Sequence, residues 1–267
     1  MSICLAIATR GLVPGGQAEI SVSYFVLAKR FLATFLLICI PSFVIAGSFS
    51  VTPLRVELSK SESTRIINLH NLESKPVTVQ LQVMAWSHKD GDDHFLPTRD
   101  VIITPQIFHL KANSSQIIRA GLIRKPDANE ELSYRLFIEE IPEPPSVDTK
   151  GVQIALKVSL PIFVLPENTS LPSLIFHTSA QQDGKLKIKI FNSGLIHSQI
   201  HKFAVFTHEN SDKNIATREK SIYVLPGQER YLLLKTDMHD FSINEKFFIR
   251  AITRTGQVDS YATPGPP

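Results

Sequence analysis

Beyond residue 46 the chain has no cysteine: its two, Cys4 and Cys39, both lie near the start of the 267 residues. A form lacking the first 46 residues is expected to hold no disulfide, no thiolate nucleophile and no cysteine-ligated metal. The roughly 220 residues that remain are enough to bury a core without such staples. An excess of one charge is missing too. Of 28 basic residues, Arg10, Lys29 and Arg30 precede residue 49, as does Glu19 of the 25 acidic ones. The rest is close to neutral and carries no electrostatic footprint for nucleic acid.

Long helical periodicity is absent, and so are a nucleophile elbow, a phosphate loop and a zinc motif. His197 and His201 stand four apart in a predicted strand. That spacing puts them on one face about 13 Å apart, with no third ligand near in sequence, and they read as surface or structural histidines. The turn Asp90-Gly91-Asp92-Asp93 lacks the ligand spacing and closing glutamate of a calcium loop and reads as a hairpin turn. Glu139 and Glu140 are adjacent strand residues and point to opposite faces. The reading is of a protein that is no enzyme and uses no cofactor and no metal.

What is present starts with an export signal. Lys29-Arg30 is a positive n-region, FLATFLLICIPSFVIA (31–46) an apolar h-region, and Val44-Ile45-Ala46 a cleavage site. The run is shorter than the ~20 residues that span hydrocarbon and contains Pro41, so no stable membrane insertion is expected after cleavage. Residues 1–28 fit no region of such a signal.

The full chain is 43% hydrophobic and 20% charged, an ordinary globular balance. Short apolar stretches predict strands at 51–58, 64–71, 77–86, 115–123, 132–141 and 152–165, separated by polar turns. Val77, Val79, Leu81 and Val83 alternate with Thr78, Gln80 and Gln82, the pattern of a sheet with one buried face. Pro166 to Pro172 reads as a hinge, and a second series follows at 174–178, 185–192, 199–207, 230–235 and 246–252. Many short strands at regular spacing predict sandwiches. No internal repeat is visible. The expected division is a leader at 1–46, domains at 47–166 and 173–262 about a hinge at 167–172, and a loose tail at 263–267.

Residues 152–165 stand out. Val152, Ile154, Leu156, Val158, Leu160, Ile162 and Val164 alternate over seven positions, where strands of five or six residues are typical. Pro161 lies inside the run and cannot donate to a ladder, so that part belongs at an edge or a bulge. A long apolar edge is an aggregation hazard, retained where another chain pairs with it. The pattern alone leaves open that both neighbours are internal. Arg55 sits in the first predicted strand, pointing away from an apolar face of Leu54, Val56 and Leu58. Arg135 stands between Tyr134 and Leu136 in an apolar strand, where a charge needs a partner.

Several segments, in order, resemble the periplasmic chaperones of the chaperone–usher pilus pathway. They are Ser50-Val51-Thr52-Pro53-Leu54-Arg55, Met84-Ala85-Trp86, Ile103-Thr104-Pro105 with Phe108, and Gln116-Ile117-Ile118-Arg119. Tyr134-Arg135-Leu136 with Glu140-Ile141-Pro142 follows, then Gln153-Ile154-Ala155-Leu156 running to Phe163 and Pro166. Tyr134-Arg135 and Ser159-Leu160-Pro161 are closest in style to the archaic, spore-coat-protein-U-like branch. The resemblance implies an all-β protein of two immunoglobulin-like β-sandwich domains in a boomerang arrangement, working in the periplasm. It implies pilus or fimbrial subunits and an outer-membrane usher as partners, and donor-strand complementation as the mechanism. By that match Val152, Ile154 and Leu156, with Val158 next, are the donated side chains. Arg55 matches the cleft arginine that anchors a subunit's terminal carboxylate. The lysine usual in the long strand falls at Pro161, and Arg135 on the preceding strand is positioned to replace its charge. The alternative is an exported structural or adhesion module resembling a pilus subunit, which should carry an N-terminal alternating extension and usually a disulfide.

Overall fold

The computed structural model describes residues 49–142, 155–168, 171–181, 184–236 and 246–264; the expected export signal lies outside them. The described residues form nineteen strands and no helix. The first sandwich comprises β1 (Phe49–Thr52), β2 (Val56–Leu58), β3 (Thr64–Asn71), β4 (Val77–Lys89), β5 (Asp92–Pro97), β6 (Val101–Thr104), β7 (Ile107–Leu110), β8 (Ser115–Leu122), β9 (Leu132–Ile141) and β10 (Lys157–Val164). One sheet runs β1-β3-β8-β6; the other runs β2-β10-β9-β4-β5, with β7 also on β4. Inward positions of both sheets, among them Ile67, Leu69, Val79, Ile118, Leu136, Ile138 and Ile162, form one closed core.

The strand predicted at 51–58 is two strands. β1 pairs with β3 in one sheet, and β2 pairs in parallel with β10 in the other. Pro53, without a backbone N–H, stands at the crossing. Leu54 is consequently 78% exposed rather than part of an apolar face, whereas Val56 and Leu58 are buried as the alternation requires. The turn at Asp90-Gly91 is the tight hairpin between β4 and β5, with both φ angles positive (53° and 81°), the backbone that Asp-Gly favours.

The second sandwich comprises β11 (Leu174–Gln181), β12 (Lys185–Asn192), β13 (Ser198–Phe206), β14 (Ala216–Arg218), β15 (Ile222–Val224), β16 (Glu229–Lys235), β17 (Phe248–Thr253), β18 (Gly256–Tyr261) and β19 (Thr263–Pro264). Its sheets run β16-β12-β11-β19 and β14-β13-β17-β18, with β15 also on β13. Phe176, Leu186, Ile188, Phe203, Val205 and Ile249 lead its core. The tail begins as a strand and not as a loose end: Thr263 and Pro264 pair with His177 and Thr178.

A repeat invisible in the residue pattern appears in the hydrogen bonding. Asn71 and Asn192 are buried at the ends of β3 and β12. Asn71 Nδ2 donates to the carbonyls of Lys75 and Lys111, and its Oδ1 accepts the Glu73 N–H. Asn192 Nδ2 donates to the carbonyls of Ile196 and Val224, and its Oδ1 accepts the Gly194 and Ser173 N–H groups. One side chain in each sandwich thus satisfies the backbone of a turn that no ladder reaches.

Candidate functional site

β10 pairs with β9 along its whole length, from Lys157↔Glu139 to Val164↔Leu132. On its other side β2 meets only Ile162, Phe163 and Val164. Among the described residues, Lys157 to Leu160 have no strand on that side and form an open edge. The direction of its backbone follows from its flanks. Leu156 accepts the Glu140 N–H on the β9 side, and the Leu165 N–H donates to Leu58 on the β2 side. With a period of two, even positions bond β9 and odd positions face β2 or the open edge. Lys157 and Ser159 thus present both backbone groups outward, and Pro161 puts its missing N–H where no internal ladder needs it. The last third of β10 is thus internal, and the rest is paired on the β9 side only.

The four residues named as donated side chains divide. Val152 and Ile154 lie outside the described residues. Leu156 is half-buried one residue before β10. Val158 packs against the first sandwich's own core.

The outer face of this sheet carries the charges. Pro161 is directly opposite Arg135, and continuing the β2 register by one residue from Val56↔Ile162 puts Arg55 beside Pro161. Arg135 and Pro161 face each other across β9 and β10, and Arg55, in the bend that leads into β2, extends that row by register, about 10 Å from Arg135 at two strand spacings. The Arg135 guanidinium lies over the Trp86 ring at 3.9 Å and 5.3 Å from the Tyr223 ring. Among the described residues no carboxylate comes within ion-pair distance of it. Burial pulls its pKa below the ordinary arginine value, partly offset by Asp93 and Tyr223; the group remains a cation. A cation stacked on indole with its edge unpaired is preorganised to take a carboxylate. Arg55 meets Glu57, with Nε 3.0 Å from Oε1, and lines a hollow of about 770 Å³ with Pro53, Thr64 and Arg65.

Behind this row the second sandwich covers the sheet. Trp86 and Phe163, both on outward positions, are buried by Leu225 and flanked by Tyr223. Asp93 gathers the polar contacts there. Its Oδ1 accepts Trp86 Nε1–H at 2.9 Å, lies 3.2 Å from Arg230 Nη1 and 3.3 Å from His88 Nδ1. Burial raises the Asp93 carboxyl, but His88, Trp86 and the charge of Arg230 outweigh it and hold the pKa at about 2. A second contact joins Glu131 to His197, Oε1 to Nδ1 at 2.8 Å, with the His197 ring stacked on Phe163 at 3.6 Å. His197 is thus a structural histidine at the junction. His201 is exposed and bonds Ser221. Among the described residues no cluster of ligating side chains could hold a metal.

The sequence reading named Arg55 and Arg135, and the fold brings them into one row. It missed Glu57, Tyr223 and Arg254 around them, because single charged or aromatic residues in strands carry no signal of what faces them. Trp86 was part of the resemblance without a role.

Residues 48–170 match the family model of the pili and flagellar-assembly chaperones, PapD N-terminal domain. The likeness to this chaperone family covers the first sandwich. No curated protein matches the chain significantly by sequence. Among solved structures the chaperone fold recurs over both sandwiches. A chaperone–tip subunit pre-assembly complex, CsuC–CsuE from the archaic chaperone–usher Csu pili of Acinetobacter baumannii, matches with TM-score 0.60 at 19% identity, over 82% of this chain and 100% of that one. The SafA pilin–SafB chaperone complex of Salmonella enterica gives 0.55 at 17%, over 82% and 97%. The Escherichia coli chaperone DraB gives 0.52 at 17%, over 80% and 98%. At these identities the likeness is one of fold, and it bears out the all-β, two-sandwich architecture.

Proposed function

We infer that the protein is a chaperone of the chaperone–usher kind. It binds a pilus or fimbrial subunit whose sandwich lacks a strand, lends it the open stretch of β10 and the residues before it, and delivers it to an outer-membrane usher. The half-open edge of β10 beside the Arg55–Pro161–Arg135 row carries this reading. An edge of four residues, Lys157 to Leu160, offers backbone pairing, and two cations beside its end offer a seat for a terminal carboxylate. Pilin and tip-subunit complexes among the similar structures support subunits as partners.

Val152, Ile154 and Leu156 supply the side chains for the subunit's open core. Each buried aliphatic group contributes about 1.5–3 kcal/mol by transfer from water, less the association entropy. Val158, already half-covered by its own sandwich, contributes less. Chaperones of this pathway act in the periplasm; export through residues 29–46 with cleavage near Gly47, and domains at 47–166 and 173–262 about a hinge at 167–172, belong to the same reading. The test is co-expression with an exported subunit encoded beside this gene. Changing Ile154 and Leu156 together to Ser should leave a chaperone with an unchanged thermal melt that recovers little subunit. A folded double mutant that recovers normal amounts would overturn strand donation and favour the structural or adhesion module.

A further inference from the structure

Arg55 is occupied. Its partner Glu57 lies two residues on, in β2, and Glu57 Oε1 also lies 3.9 Å from Arg254 Nη2 in the turn between β17 and β18. One carboxylate oxygen of the first sandwich is thus shared by an arginine from each sandwich. The register pairs Glu57 with Phe163, one row away from Arg55, Pro161 and Arg135. The same arginines reach Tyr223: burial raises its phenol, and Arg135, Arg55 and Arg254 all act on it in the opposite sense. Arg135 lies over the Tyr223 ring at 5.3 Å, and the carboxylate that joins Arg55 to Arg254 is the protein's own.

A terminal carboxylate cannot take Arg55 at full strength while Glu57 holds it. We propose that Glu57 is an internal stand-in for the partner's carboxylate: in the free protein it neutralises Arg55 and ties Arg254 to β2, and it is displaced when a chain end arrives. This rests on the reading of Arg55 as an anchor. The pair is suited to exchange. The Arg55 and Glu57 side chains are 22% and 36% exposed, and Arg254 is 50% exposed, so each contact is solvated and cheap to break. The stand-in keeps an arginine beside Phe163 and Tyr223 from standing uncompensated. It also raises the threshold for capture, so a free anion without an accompanying strand gains too little to stay.

The test is a titration of the ¹⁵N-labelled protein with N-acetylvaline, a minimal chain end, and with N-acetylvalinamide, its uncharged twin, following the Arg55 and Arg254 Nε–H resonances. N-acetylvaline should shift Arg55, and the amide should not. In Glu57→Gln the midpoint should fall about three- to fivefold, the scale of one solvated ion pair. Glu57→Asp, which keeps the charge but shortens the reach, should behave like Glu57→Gln. An unchanged midpoint in both variants, with Arg55 still responding, would overturn the stand-in and leave the anchor intact. A lowered midpoint in Glu57→Gln alone would reduce Glu57 to a background charge and overturn its contact role. Silence of Arg55 in the parent and in both variants would overturn the anchor and the inference together.

Discussion

Arg135 and Pro161 are direct partners across β9 and β10. The position where the resemblance leads one to look for a lysine holds a residue with no charge and no N–H, and the residue facing it supplies a cation from the neighbouring strand.

That relationship predicts a rescue. Arg135→Ala should weaken capture of a carboxylate-ended subunit by about 1.5–3 kcal/mol, ten- to a hundredfold. Adding Pro161→Lys to Arg135→Ala should restore most of it, since the new ammonium rises from the same row. Affinity by calorimetry checks both, and failure of the double variant to recover would show that the row is not the seat.

The open edge predicts an asymmetry between neighbouring prolines. The Ser159 N–H faces outward and the Leu160 N–H faces β9. Ser159→Pro should leave the thermal melt within a few degrees while cutting subunit recovery, because it removes a donor only from the guest's ladder. Leu160→Pro should destabilise the free protein by about 3 kcal/mol or more, through a lost ladder bond and a disrupted core position.

Asp93 predicts the acid limit of the junction. Its folded pKa, about 2 against an ordinary 3.8, is depressed, so its contribution is fully present above about pH 4 and is lost as pH falls towards 2. With a third of the side chain exposed, solvent screening reduces that contribution to about 1 kcal/mol. Asp93→Asn should lower the melting midpoint at pH 7 and flatten its fall between pH 4 and 2, as followed by calorimetric melts.

Gly194 predicts where the linker is held. A Cβ there would lie 2.5–2.7 Å from the backbone of Leu171, Pro172 and Ser173, atoms that cannot swing aside. Gly194→Ala should lower the melting midpoint by roughly 2–10 °C. Gly256, with open space around it, sets the comparison: Gly256→Ala meets only its backbone strain at φ 133°. Differential scanning calorimetry of the two variants separates crowding from strain.

Strands at 64–71, 132–141 and 185–192 are legible to the residue, because alternation of apolar and polar side chains is local and survives burial of one face. The short strands β5, β6, β7, β14 and β15 are not, since three to six residues hold too little alternation to stand above noise. Trp86 shows a different failure. Its position in β4 is outward, which the pattern assigns to water, and the second sandwich buries it. The division of the first strand at Pro53 was written in the chain as a proline, but which sheet each half joins is a matter of partners β3 and β10, far away in sequence.

The sequence by itself determined the class: two series of alternating strands, no cysteine beyond residue 46, no catalytic motif, and one unusually long apolar run ending at a proline-flanked polar stretch. Each is a property of residues near one another along the chain. Only the tertiary structure decided that β2 covers just the end of β10 and leaves an edge, that Arg135 faces Pro161, and that Glu57 stands between Arg55 and Arg254. Those facts depend on register and packing between segments up to about two hundred residues apart, where the closing of both cores, and no local preference, sets which side chains meet.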